Sequence, residues 1–188
     1  MAQHYPQMLA TGPAGQFVFG DTAGDLLILT GRSGTGKSSL CALLANRARD
    51  AGLSTGGLIS PPVFSNGRKI AIDLIDQLSG ESRRLAARRT TGAPGLTTDH
   101  WSFDPTALAW GNQCLLDLPP CDLFFLDELG PLEFRRGEGL LAGLALLDRR
   151  RGGRSVVVIR PELLTEASAR WPWGRVVDLG VGNMNYHD

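Results

Sequence analysis

The sequence has no surplus of charge of either sign: 19 basic and 19 acidic side chains are spread over 188 residues. A chain that grips nucleic acid through its phosphates needs cations in excess. The balance therefore weighs against a DNA or RNA partner. Long apolar runs are also missing. None approaches the roughly 18–20 residues that carry a helix across a bilayer, so no membrane partner is expected. The opening residues Met1-Ala2-Gln3-His4-Tyr5-Pro6 have neither a charged start nor an apolar stretch, which excludes a secretory signal there. Cysteine is scarce. Cys41, Cys114 and Cys121 form no C-x-x-C pair, and they read as reduced, partly buried thiols of a cytoplasmic protein. Their spacing suits neither a disulfide framework nor a zinc site. His4, His100 and His187 are scattered without ligand spacing and read as surface residues.

What is present is an alternation of strand-like and helix-like segments. Residues 1–16 hold Pro6, Gly12, Pro13 and Gly15 and read as a loosely ordered leader; residues 17–188 read as a single domain. Phe17 to Phe19 suggests a short strand. Asp25 to Thr30, Asp122 to Asp127 and Ser155 to Arg160 are short apolar runs, the pattern of strands buried on both faces. Ser54 to Ser60 and Arg175 to Leu179 are further strand candidates. Helices are expected over Lys37 to Asp50, with Leu40, Leu43, Leu44 and Ala48 on one face, and from Asp104 to Leu118, with Pro105 in the first turn. Gly137 to Arg150 and Glu162 to Arg170 read as two more. Asn66-Gly67 between extended segments announces a hairpin. Residues 81–89 look loop-like or weakly helical, and Gly92 to Asp99 reads as a loop. Such alternation implies an α/β fold: a mostly parallel sheet, helices on both faces, plus a β-hairpin.

Gly31-Arg32-Ser33-Gly34-Thr35-Gly36-Lys37-Ser38 matches G-x-x-x-x-G-K-[ST] at every defined position. Glycines allow successive backbone N–H groups to turn inward around phosphates, where side chains would obstruct them. The helix beginning near Lys37 adds its positive end to the same anion. Lys37 is placed to reach the β- and γ-phosphates, and the Ser38 hydroxyl to ligate Mg²⁺. With Ser39, residues 31–39 form the expected nucleotide-binding set. The motif follows a predicted strand and opens a predicted helix, as a P-loop (Walker A) requires.

A second constellation closes the third strong strand. In Leu123-Phe124-Phe125-Leu126-Asp127-Glu128, four apolar residues deliver a carboxylate to the C-terminal edge of a buried strand. That edge is where open α/β sheets bind ligands. Asp127 is the candidate to hold Mg²⁺, and Glu128 to polarise an attacking water as general base. The same pair could instead only cap the turn before Gly130-Pro131. A water-activating group beside the γ-phosphate favours hydrolysis, since a kinase must exclude water.

Asp127-Glu128-Leu129-Gly130-Pro131-Leu132-Glu133 resembles the D-E-I-G-x-M-E signature of a family of small P-loop nucleoside-triphosphatases, typified by a thermophile enzyme and a human cancer-related homologue. Gly57 to Ser60 resembles that family's second strand, Asn66 to Leu74 its G-G-x-R-x-G-F-D-I hairpin, and Asp178 to Asn183 its last strand and following asparagine. Leu132 stands where the family has methionine, and Pro61-Pro62 where it tends to charged residues. The resemblance implies a RecA-like P-loop fold and Mg²⁺-dependent hydrolysis of ATP, GTP, CTP and UTP to NDP and phosphate with little base preference. It carries Gly31 to Ser38, Asp127 and Glu128 over as functional positions.

An arginine could stabilise charge on the transferring phosphoryl group. Arg160 ends a buried strand on the ligand-bearing edge and is the favoured candidate; Arg135 and Arg136 are alternatives, and each could instead hold a structural ion pair. Glu133 either positions Glu128 or closes a salt bridge. Arg83, Arg84, Arg88 and Arg89, like Arg149 to Arg151, read as solvated faces. Trp171 or Trp173 could stack on a base or cover a core edge. Two other readings of the P-loop stay open. One is a small-molecule kinase or a nucleotide-binding accessory protein in cofactor assembly. The other is a non-catalytic switch.

Overall fold

The structure is a computed structural model describing residues 25–90, 95–149 and 154–180, the side chain of Glu128 excepted. The expected leader, the strand at 17–19 and Asn183 lie outside the described residues.

Among the described residues nine strands form one sheet: β1 (Leu26–Thr30), β2 (Thr55–Ile59), β3 (Pro62–Ser65), β4 (Arg68–Asp76), β5 (Ser82–Arg88), β6 (Trp101–Phe103), β7 (Leu123–Leu129), β8 (Arg154–Ile159) and β9 (Arg175–Asp178). Their order across the sheet is β6-β5-β4-β2-β7-β8-β1-β9, with β3 paired to β4. The pairs β2–β7, β7–β8, β8–β1 and β1–β9 are parallel; β2–β4, β3–β4, β4–β5 and β5–β6 are antiparallel. The α/β expectation thus holds. The hairpin is larger than the sequence announces, a four-strand antiparallel extension.

The apolar strands split their side chains by alternation. Leu27, Leu29, Phe125, Val156 and Val158 form one core with Cys41, Leu44, Ala45 and Ala48 of helix α1 (Lys37–Asp50). Leu26, Ile28, Leu126, Val157 and Ile159 enter a second core with α2 (Pro105–Leu116), α3 (Leu141–Asp148) and α4 (Leu164–Arg170). Helices therefore cover both faces. One helix boundary and one turn follow the sequence signals. Asp104 caps α2, its carboxylate accepting from Thr106 N at 2.8 Å, and Pro105 opens it. The β3–β4 turn is Asn66-Gly67, both at positive φ (49° and 72°), as a two-residue hairpin demands.

Four expectations need correction. Residues 82–88 are strand β5, not loop or helix, because β4 and β6 flank the segment and its arginines face solvent. The helix expected over 137–150 begins only at Leu141: a π-helical turn (Leu132–Arg136) precedes it, and Gly137 and Gly139 at positive φ break the chain between them. Leu43 of α1 is 46% exposed, so the buried face is carried by Cys41, Leu44, Ala45 and Ala48. Trp171 is fully buried, edge-on to Phe134 at 5.8 Å between ring centres, with its indole N–H donating to Asp148 at 3.0 Å; it is a core residue and takes no part in base stacking. No helix among the described residues is long and apolar enough to cross a membrane. The three cysteines are free thiols.

Candidate functional site

The parallel strands end together, and their loops frame one cleft of about 720 Å³. Gly31, Ser33, Gly34, Gly36, Lys37, Ser38 and Ser39 line it from the β1–α1 side, Asp127 and Arg160 from the ends of β7 and β8, and Ser60 from beyond β2.

The β1–α1 loop is shaped by its glycines. Gly31, Gly34 and Gly36 have φ of 135°, 86° and 85°, a region that side-chain-bearing residues seldom adopt. A Cβ on Gly31 would also come within 3.0 Å of the Thr35 hydroxyl and 3.3 Å of Asp178. The Lys37 ammonium donates to the carbonyls of Gly31 (2.7 Å) and Arg32 (2.8 Å), and the Thr35 hydroxyl donates to Arg32 O at 2.9 Å. These bonds fix the loop from within. α1 has no side-chain cap and no acidic residue in its first turn. Its leading N–H groups, which have no intrahelical acceptor in any helix, therefore lack a capping side chain as well, the arrangement that suits an anion. Of the nine residues expected here, Arg32 and Thr35 hold the loop together, while the other seven line the cleft.

Asp127 is 1% exposed. One carboxylate oxygen accepts from Ser60 N at 3.1 Å, and the Ser60 hydroxyl donates to Asp127 O, so β2 and β7 hold the acid in place. Its charge reaches Cys41: burial first, then Asp127, pushes that thiol well above its ordinary value. Such a thiol stays protonated and unreactive. The β7–β8 register shifts between Asp127 and Leu129, so residue 128 has no partner across the strand pair. Bulges of this kind re-aim a strand beside functional sites. The Glu128 side chain lies outside the described residues.

Glu133 is buried and bridges the turn that leaves β7. It accepts Gly130 N at 2.8 Å and Leu140 N at 2.9 Å. Burial raises its pKa; those N–H groups and the Arg160 charge oppose the rise. Of the three arginine candidates, only Arg160 lines the cleft. Arg135 pairs with Glu166 at 2.9 Å; Arg136 pairs with Glu138 at 2.7 Å and donates to Thr97 O at 2.8 Å. Sequence reasoning missed the opposite wall of the cleft, made by Pro62, Phe64, Lys69, Arg88, His100 and Trp101. His100 is exposed as expected, but it faces the cleft.

These observations place a phosphate-shaped cradle, a buried carboxylate and an arginine on one sheet edge. The comparisons with known proteins point the same way. A family described as NTPase matches residues 26–139. The chain is 29% identical over 110 residues to a nucleoside-triphosphatase THEP1 of Methanopyrus kandleri, covering 58% of this chain and 59% of that protein. It is 31% identical over 122 residues to the THEP1 of Pyrococcus abyssi, covering 63% and 66%. The alignments thus span about three fifths of the length of these relatives. The solution structure of a human cancer-related nucleoside triphosphatase superposes with a TM-score of 0.64 at 21% identity, over 86% of this chain and 90% of that one. The crystal structure of THEP1 from Aquifex aeolicus gives 0.65 at 14% identity, over 86% and 93%. At these identities the likeness is one of fold. Since the family match covers more than half of the sequence, from β1 through the turn after β7, this chain belongs to the NTPase family.

Proposed function

We propose that the protein hydrolyses nucleoside triphosphates to the diphosphate and phosphate in a Mg²⁺-dependent reaction with little base selectivity. One observation carries this reading: the glycine cradle, Lys37 and the uncapped start of α1 share a cleft with buried Asp127 and with Arg160.

The residues present fit the metal. Ser38 offers a hydroxyl and Asp127 a carboxylate, the hard oxygen donors that Mg²⁺ takes alongside phosphate and water oxygens. When bound, Mg²⁺ would draw charge from the β- and γ-phosphate oxygens.

The chain's own groups supply the rest. Backbone N–H groups of residues 33–38 bind the phosphates and read no base, which supports broad NTP use. Lys37, already held by two loop carbonyls, offers its remaining N–H to the β- and γ-phosphates. With the γ-phosphate at the β7–β8 side, the nucleoside leaves along the sheet edge toward β9. Glu128, at the bulged position, takes the proton of the attacking water. Arg160 balances charge developing on the phosphoryl oxygens.

Phosphate release from ATP, GTP, CTP and UTP with Mg²⁺ and no added acceptor tests the reading. Comparable turnover of all four is expected. Bound nucleotide with no release above background would remove it. Glu128→Gln should keep nucleotide affinity while turnover falls by about 10²–10⁴; single-turnover kinetics beside a binding titration separates the two.

A further inference from the structure

The cleft extends well beyond the phosphate cradle. Strand order maps its length: the β1 loop, Arg160 after β8, Asp127 on β7, Ser60 after β2, then the antiparallel strands. That far wall presents Phe64, Lys69, Arg88, His100 and Trp101. None of the five is acidic. Trp101, 9% exposed, is a floor on which two cations rest, the Lys69 ammonium 5.0 Å and the Arg88 guanidinium carbon 5.9 Å from the ring centre. Arg88 Nε also donates to the Lys69 carbonyl at 3.3 Å. Stacking on one buried ring fixes the two cations side by side. Beside them Phe64, paired with Lys69 across β3–β4, is 61% exposed inside a concave surface.

A further asymmetry points to this wall. Lys37 and Lys69 are the only lysines of the chain, against seventeen arginines, and both line this cleft from opposite sides. Two fixed cations, an imidazole and an apolar plate match an anion attached to a ring. With the nucleotide oriented as in the proposed function, its γ-phosphate lies toward this wall and its base toward β9, so the base does not fill the wall. The confined volume suits a small molecule, and the neutral overall charge disfavours a nucleic-acid strand.

We propose that the β3–β6 wall is a second binding subsite, for a small organic phosphate with an aromatic or apolar body, beside the γ-phosphate of the bound nucleotide. The site rests on the nucleotide reading above for its neighbour, but not for its own chemistry. Phenyl phosphate is the probe. Protein saturated with Mg²⁺ and a nonhydrolysable ATP analogue, whose affinity is measured first, is titrated with phenyl phosphate by calorimetry and by NMR.

The expected result is one further saturable site that binds phenyl phosphate several-fold tighter than inorganic phosphate. Lys69→Gln and Arg88→Gln should each weaken it about tenfold, since each removes a charge-assisted contact, and Phe64→Ala should weaken it a few-fold. Unchanged analogue affinity in these variants shows that they fold. No second binding event, no preference over inorganic phosphate, or affinity indifferent to Lys69 and Arg88 would overturn the proposal. Failure of the wild-type protein to bind the analogue would instead strike the nucleotide reading. The same titration without nucleotide, with the same variants, then decides the wall by itself.

Discussion

The five parallel strands and the four antiparallel ones belong to a single sheet, yet they are made from different kinds of sequence. β1, β7 and β8 are nearly unbroken apolar runs, covered by helices on both faces, and they end in the loops that form the phosphate cradle and place Asp127 and Arg160. β4 and β5 are half-solvated: β4 mixes apolar and charged residues and buries Ala71, Ile72, Leu74 and Asp76, and β5 buries only Leu85 and Ala86 among exposed arginines. The first half lines the cleft through backbone geometry, and its glycines at positive φ leave little room for side chains. The second half reaches the cleft through side chains, which can vary without moving the main chain. A backbone-built edge beside a side-chain-built wall is what the two proposed sites, one for a nucleotide and one for a second small molecule, would each need.

Trp171→Ala should test that contrast most severely. The ring is fully buried beneath the parallel half, so its loss should cost about 3–5 kcal/mol, read as a lower urea midpoint at unchanged slope. A loss below 1 kcal/mol would show that this half is not the rigid part of the molecule. Lys37→Ala should lower kcat/KM for phosphate release by about 10²–10³, the usual effect of removing one preorganised charge contact, with unfolding little altered. Equal activity would contradict the cradle.

A smaller effect concerns Asp148. Its hydrogen bond from Arg170 (2.6 and 2.9 Å), aided by the Trp171 N–H, holds the carboxyl below the usual aspartate range. A depressed folded-state pKa contributes stability that is present above the unfolded value, near 4, and lost as pH falls through the lower folded value. Asp148→Asn should therefore lower stability at pH 7 and flatten the acid limb of a midpoint-against-pH curve between pH 5 and 3. The pair is partly exposed, so the change should stay near or below about 1 kcal/mol. The smallest effect is expected from Arg84→Ala in β5, whose exposed pair with Asp73 should be worth within about 0.5 kcal/mol by the same unfolding measurement.

The contrast also explains what the sequence made legible. Buried parallel strands announce themselves by continuous Leu, Val, Ile and Phe, and glycine spacing announces the cradle, because both are dictated by local backbone requirements. Ser82-Arg83-Arg84-Leu85-Ala86-Ala87-Arg88 carries no such mark: alanine and arginine have little strand preference, and only its neighbours β4 and β6 make it a strand. The start of α3 was hidden for a related reason. Leu140 N bonds to Glu133, seven residues away, and the two glycines between leave the helix late. Trp171 could be placed neither in the core nor on a base until Asp148 and Phe134 were seen beside it. The wall of the cleft was illegible because its members come from three separated stretches, 62–69, 88 and 100–101, that only the antiparallel pairing unites.

Having its two lysines in one mouth gives the molecule an unusual vulnerability. Reagents that acylate side-chain amines, including the active esters used to attach dyes or couple proteins to beads, find their lysine targets only there. A preparation tethered through those lysines would be blocked at its opening, whereas attachment through a tag would leave the opening clear.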